Sequence, residues 1–251
     1  MLQHHADSIK NMTDHYAADS SVVALFLVGS VATQTCRPDS DVDAVCVISD
    51  EAFRIKKDAG KTMETVHGKC TYEGGYFDTH FVTRKHMEDL LEKGSEPMRN
   101  LFTNAQMLFC HEEGLPELAA KIAVFPESEL EPKQRRYYCT LKQFYTYFWN
   151  ICKPTGFHRN HVANGMVFSL YRLVLLENRM LFPSMRKVEE VVRQAPNKPD
   201  DLFEKCHAFM HNLDDASALE MVTMYENWTK YDYPKEHAIV MNNFSDPNEW
   251  N

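Results

Sequence analysis

Residues 27–48 have the sequence LVGSVATQTCRPDSDVDAVCVI, in which one apolar run ends at Gly29 and Ser30 and a second begins with Asp41 and Asp43. Side chains alternate between the two faces of a strand, so the two aspartates project from one face with their Cα atoms roughly 6.5–7 Å apart. Carboxylates at this spacing can share a hard divalent cation, and Mg²⁺ typically takes one or two of them. The stretch therefore predicts a metal site on Asp41 and Asp43.

Gly29 and Ser30 supply the second half of this pattern. Glycine lets the backbone come close to a ligand, and a serine that opens a helix offers its hydroxyl beside free N–H groups that attract anions. Substitution at phosphorus requires such a phosphate cradle next to a metal pair. Gly-Ser and Asp-x-Asp each occur often by chance, but both in this order at two strand ends are much rarer. Asp39 alternates with the aspartate pair too, but it follows Pro38 and is expected to lie in the loop.

A third carboxylate, Asp78, stands in the sequence GYFDTHFVT of residues 75–83, whose aromatic and β-branched residues predict a strand. A charge among apolar neighbours is unusual unless it is used or paired. If this strand lies beside the strand of Asp43, Asp78 completes a triad and either binds the metal or takes a proton from an attacking hydroxyl. The alternative is a partly buried aspartate in a salt bridge. His80, on the same face, is expected to pack or to support the site.

The first half of the chain alternates strand and helix signals, whereas in the second half apolar residues recur at helical spacing and strand signals disappear. We predict strands at residues 22–28, 41–48, 75–83 and 106–110, and helices at residues 2–17, 50–61, 84–93, 96–102 and 116–123. In the second half we predict helices around residues 137–149 and 167–175, and at residues 186–193, 202–212 and 216–230. A polar stretch between Pro126 and Pro132 marks the boundary. The pattern predicts an α+β fold, with an α/β domain at residues 1–126 and an all-helical domain at residues 127–251.

The bulk composition is that of an ordinary globular protein of 251 residues, 44% hydrophobic and 25% charged, with a net charge of −9. The negative charge of the chain disfavours binding of a long nucleic acid, which is itself negatively charged, and is compatible with a small, cationic substrate. The seven cysteines are widely spaced and odd in number, which favours reduced thiols over disulfides or a zinc site. The sequence has no signal-peptide run and no apolar stretch of about 18 residues, so we expect a cytoplasmic protein with no membrane contact. We expect it to be a monomer or a homodimer.

The Gly-Ser pair, the Asp-x-Asp strand and the lone aspartate on a later strand together resemble the polymerase-beta-type nucleotidyltransferase superfamily. Its aminoglycoside and lincosamide nucleotidyltransferase branch has a similar plan, a minimal α/β domain with a mixed sheet followed by a helical domain. The resemblance implies that Gly29 and Ser30 contact a nucleoside triphosphate, with ATP as the expected donor. It also implies that Asp41, Asp43 and Asp78 form the catalytic and Mg²⁺-binding set. The helical half, residues 127–251, matches in layout only, and we expect it to bind the acceptor.

The function implied is Mg²⁺-dependent transfer of a nucleoside monophosphate to a hydroxyl of a small molecule, such as an aminoglycoside-like or lincosamide-like antibiotic, with release of pyrophosphate. Arg172 and Lys187 of the helical half are candidates for holding the triphosphate, because the first lies beside an apolar helix face and the second near a helix start. The alternative for each is a solvated side chain. The alternative functions are an inactive or regulatory nucleotide-binding module, and a transferase that acts on a protein or nucleic-acid end.

Overall fold

The computed structural model describes residues 1–233, so the end of the predicted helical domain, residues 234–251, lies outside the described residues. The chain divides into two compact units, one of Met1–Val124 and one that begins at Phe125. The prediction of an α+β fold is confirmed, because the first unit contains a sheet and the described part of the second contains helices only. Within residues 1–233, no helix combines the length and the apolar character that crossing a bilayer requires.

A mixed sheet, five-stranded within the described residues, organises the first unit. The elements of this unit are, in chain order, α1 (Gln3–Ala17), β1 (Val22–Leu27), α2 (Gly29–Ala32), β2 (Val42–Ile48), α3 (Asp50–Asp58), β3 (Met63–His67), β4 (Tyr76–Val82), α4 (Arg84–Lys93), α5 (Glu96–Asn100), β5 (Gln106–Cys110) and α6 (Leu115–Ile122). The strands lie in the order β3-β4-β2-β1-β5, with β2 parallel to β4 and the other neighbours antiparallel. This order places the strands of Asp43 and Asp78 side by side.

The inner strands β1 and β2 bury apolar side chains on both faces of the sheet, which accounts for their nearly continuous apolar sequences. One face, which includes Leu25 and Cys46, packs against α1. The opposite face, which includes Phe26 and Val45, packs against α4 and α6. Asp43 shares this second face by alternation and is half-buried near the beginning of β2.

Strand β3 was not predicted, because the sequence pattern indicated only the helix of residues 50–61 between β2 and β4. Its sequence, METVH, is short and polar, and its side chains are alternately exposed and half-buried at the edge of the sheet. Such an edge strand lacks the apolar content by which a buried strand is recognised. The helix predicted at residues 50–61 also ends earlier, at Asp58, because the chain turns into β3 over residues 59–62.

The described part of the second unit packs its helices around a largely buried central helix. Its elements are, in chain order, a 3₁₀ turn (Glu127–Glu129), α7 (Leu130–Gln143), a π-helical turn (Phe144–Trp149), α8 (Gly156–Glu177), α9 (Val188–Gln194), α10 (Leu202–Asn212) and α11 (Asp215–Trp228). Helix α7 begins before the predicted start at residue 137. Its first turns are polar and carry no apolar stripe, so the apolar pattern did not reveal them. Helix α11 begins after Asp214, whose carboxylate accepts a 2.8 Å hydrogen bond from the Ser217 N–H as an N-cap.

Leu25→Ala should lower the free energy of opening of the sheet by about 2–5 kcal/mol, because truncating a buried leucine leaves a cavity. Leu25 is fully buried in β1, whereas Met107 on β5 is 47% exposed, so Met107→Ala is a matched control with an expected change within about 0.5 kcal/mol. Hydrogen–deuterium exchange of the β1 and β2 amides measures both values. Equal loss of protection in the two variants would contradict this sheet order.

Candidate active site

Three carboxylates converge at one end of the β2–β4 pair. Carboxylate oxygens of Asp41, Asp43 and Asp78 all lie within 4.8 Å of one another, and each residue is half-buried. Asp43 on β2 and Asp78 on β4 are register partners, and Asp41 immediately precedes β2. The parallel pairing of these two strands therefore brings together the three aspartates that the sequence singles out.

The direction in which Asp78 faces is set by its neighbours along β4. Phe77 and Thr79 are fully buried on the opposite face of the sheet. There the Tyr16 hydroxyl of α1 donates a 2.8 Å hydrogen bond to Thr79 Oγ1. Because side chains alternate along a strand, burial of Phe77 and Thr79 on one face turns Asp78 toward Asp43 on the other.

Gly29 lies against Asp43 at the end of β1. Its φ is +70°, in the left-handed region, and a Cβ at this position would lie 1.9 Å from Asp43 Oδ2. The preceding Val28 N–H donates a 3.0 Å hydrogen bond to the Asp43 carbonyl oxygen, which fixes this close approach. Only glycine satisfies both the backbone conformation and the space. Ser30 follows in the short helix α2 and is half-buried.

The chemistry of the three carboxylates fits a hard divalent cation. Like charges this close repel one another unless a cation or bound protons reduce the charge. Carboxylate oxygens are the ligands that Mg²⁺ prefers. Within residues 1–233, no other group of three or more aspartate, glutamate, histidine or cysteine side chains converges in this way.

Tyr76 belongs to the same site and was not predicted. It stands two residues before Asp78 on β4, so alternation places both side chains on one face. The negative charge of Asp41 raises the pKa of Tyr76 above its usual value. The signal that could have identified it is the Tyr-x-Asp-x-His alternation of residues 76–80, which follows the same rule as Asp-x-Asp.

Two further polar residues of these segments lie outside the carboxylate triad. The Asp39 carboxylate pairs with Arg37 Nε at 3.1 Å in the exposed loop before β2. His80 is the register partner of Val45 and lines an apolar cavity together with Phe102. The structure therefore gives Asp39 a salt bridge and His80 a packing environment.

Arg172 and Lys187 lie in the second unit. Arg172, on α8, is 3% exposed, and its guanidinium carbon lies 4.8 Å and 4.5 Å from the ring centres of Tyr137 and Phe182. Lys187 Nζ lies 2.9 Å from a carboxylate oxygen of Glu190. A role for either residue at a triphosphate stays a prediction.

Comparison with known proteins identifies the first unit. Residues 10–101 match the sequence model of the nucleotidyltransferase domain family, and this range contains Gly29, Ser30 and all three aspartates of the triad. The match confirms the prediction of a nucleotidyltransferase domain in the first unit. No curated protein matches the chain in sequence.

Two solved structures are similar to the chain at low sequence identity. A nucleotidyltransferase-like protein from Exiguobacterium sibiricum is 13% identical, with 94% of this chain and 74% of that chain covered and a TM-score of 0.47. The spectinomycin adenyltransferase from Enterococcus faecialis, solved with ATP and spectinomycin, is 12% identical, with 88% and 99% covered and a TM-score of 0.34.

Gly29→Ala should weaken binding of a divalent cation at least about tenfold, because the new methyl group would displace the Asp43 carboxylate. Gly68→Ala is a matched control, since Gly68 has a φ of +72° but nothing within 4 Å of its Cβ position. Both variants carry a similar backbone strain of about 1–2 kcal/mol, and only the first carries the collision. Titration of Mn²⁺ by electron paramagnetic resonance measures the affinity. Equal affinities in the two variants would show that Gly29 does not shape the metal site.

Proposed function

We propose that this nucleotidyltransferase moves a nucleoside monophosphate from a nucleoside triphosphate, with ATP as the expected donor, to a hydroxyl group of a small molecule, releasing pyrophosphate. The observation that carries the proposal is the convergence of Asp41, Asp43 and Asp78 inside the nucleotidyltransferase domain. A domain that had become an inactive nucleotide-binding module would have no need to keep three mutually repelling carboxylates within 4.8 Å.

Asp41, Asp43 and Asp78 would hold Mg²⁺, and we assign Asp78 as a ligand because one of its carboxylate oxygens lies within 4.8 Å of carboxylate oxygens of the other two. Bound Mg²⁺ would neutralise charge on the phosphate oxygens and hold them for in-line displacement. Gly29 has no side chain that would collide with Asp43, so the Asp43 carboxylate keeps the place from which it would share the cation. Ser30 supplies the adjoining hydroxyl.

The transfer step forms one bond and breaks one bond at the α-phosphorus. The acceptor hydroxyl oxygen attacks the α-phosphorus, and the bond from this phosphorus to the oxygen that bridges it to the β-phosphate breaks. That oxygen leaves with the pyrophosphate, and the hydroxyl proton passes to a carboxylate of the site. Holding the two substrates in line supplies much of the rate increase, because it removes the entropy loss from the reaction step.

The acceptor that we propose is a small, hydroxyl-bearing cation, such as an aminoglycoside-like or lincosamide-like antibiotic. The net charge of −9 and the clustered carboxylates both favour a cationic molecule over a nucleic acid. We assign the acceptor contacts to the helical unit, where Arg172 and Lys187 remain the predicted triphosphate-binding residues.

Asp41→Asn, Asp43→Asn and Asp78→Asn should each lower the rate of Mg²⁺-dependent pyrophosphate release at least about a hundredfold, because each removes part of the charge that holds the cation. The assay pairs each of the four nucleoside triphosphates with a panel of cationic, hydroxyl-bearing acceptors. Asp39→Asn is a matched control with an expected native rate, since Asp39 pairs with Arg37 in the exposed loop.

The same variants test the assignment of Asp78. As a ligand, Asp78 should be needed for Mn²⁺ binding as well as for turnover, so both should fall together in Asp78→Asn. Native Mn²⁺ affinity with a lost rate would instead make Asp78 the general base. Native rates in all three aspartate variants would refute the proposed function.

A further inference from the structure

Of the three residues of the triad, Asp41 is the one that the hydrogen bonding of the sheet constrains least. Strand β2 begins at Val42, and its ladder to β4 begins with the pair Val42–Phe77, so Asp41 stands just outside the regular hydrogen bonding. Asp43 and Asp78, by contrast, are register partners inside the ladder. A metal ligand in the position of Asp41 needs other contacts to fix its orientation.

The backbone that leads into Asp41 is held by Tyr72. The Tyr72 hydroxyl donates a hydrogen bond to the Ser40 carbonyl oxygen. Its ring packs against the rings of His4 and His5 at the start of α1, with centroid distances of 4.6 Å and 5.2 Å. Burial raises the pKa of Tyr72, so its hydroxyl stays protonated and able to donate. Tyr72 therefore fastens the loop before Asp41 to the first helix.

Tyr76 lies beside Asp41 on the neighbouring strand. Tyr76 stands one place before Phe77, just as Asp41 stands one place before Val42, so the parallel register carries Tyr76 alongside Asp41. Both side chains lie on the face of the sheet that carries Asp43 and Asp78, and the negative charge of Asp41 raises the pKa of the Tyr76 hydroxyl. The Tyr76 ring also contacts the His67 ring on β3, with the centroids 5.4 Å apart, so that the ring itself is held in place.

We propose that Tyr76 is a positioning residue for Asp41: its hydroxyl donates to the carboxylate and so orients the remaining oxygen lone pairs toward the cation that Asp43 and Asp78 share. This inference rests on the proposed function, since it assigns Tyr76 to the same metal site. A neutral hydroxyl orients the carboxylate and leaves its negative charge available to the cation, whereas an arginine or lysine would neutralise that charge. Removing an outer partner of this kind typically lowers metal affinity by about 10–100-fold.

Tyr76→Phe removes the hydroxyl and keeps the ring that contacts His67. The dissociation constant of Mn²⁺, measured by electron paramagnetic resonance on the full chain without nucleotide, should rise by about 10–100-fold. Tyr147→Phe is the matched control, because Tyr147 is 48% exposed in the second unit, and it should bind Mn²⁺ as the native chain does. In turnover, Tyr76→Phe should need more Mg²⁺ but recover its maximal rate at saturation, which a generally damaged fold would not do.

The outcomes separate this inference from the proposed function. Native Mn²⁺ affinity in Tyr76→Phe, together with lost affinity in Asp43→Asn, would overturn the positioning role alone. Failure of the native chain to bind Mn²⁺ would overturn both. If Tyr76→Phe weakens Mn²⁺ binding but the native chain releases no pyrophosphate from any triphosphate with any acceptor tested, the positioning role is supported and the transferase proposal is contradicted.

Discussion

The parallel register of β2 and β4 is the constraint on which the site depends. It sets Asp43 directly beside Asp78, and Asp41 adds a third carboxylate within 4.8 Å. Like charges side by side on neighbouring strands are destabilising by themselves. The same register also aligns fully buried residues on the opposite face, among them Ala44 and Phe77. Hydrophobic burial on one face therefore holds the charges together on the other.

Three segments that are distant in sequence meet at this point because of strand direction. Strand β1 runs antiparallel to β2, so the end of β1 lies beside the beginning of β2, and Gly29 meets Asp43 there. Strand β4 runs parallel to β2, so its beginning, with Tyr76 and Asp78, arrives at the same edge. Sheet topology thus brings the Gly29 backbone, the three carboxylates and the Tyr76 side chain to one place, with little demand on the connecting loops.

Parts of this site could be predicted from the sequence because they carry their own geometry. Alternation alone places Asp41 and Asp43 on one face, and a charge in an apolar strand singles out Asp78. Which strand lies beside which could not be read, because parallel pairing depends on a crossover connection rather than on local pattern. Strand β3 escaped prediction because it is a polar edge strand, and Tyr76 because an aromatic residue in a strand ordinarily indicates packing. The helices of the second half could be predicted because their apolar residues recur at helical spacing.

In the function that we propose, the carboxylate triad binds a nucleoside triphosphate through a divalent cation. Calorimetric titration of the four nucleoside triphosphates, with and without Mg²⁺, tests this most directly on the native chain and on Asp41→Asn/Asp43→Asn. We expect at least one triphosphate to bind the native chain in the presence of Mg²⁺, and the Mg²⁺ dependence to be lost in the double variant. Triphosphate binding that is equally strong without Mg²⁺, or unchanged in the double variant, would contradict it.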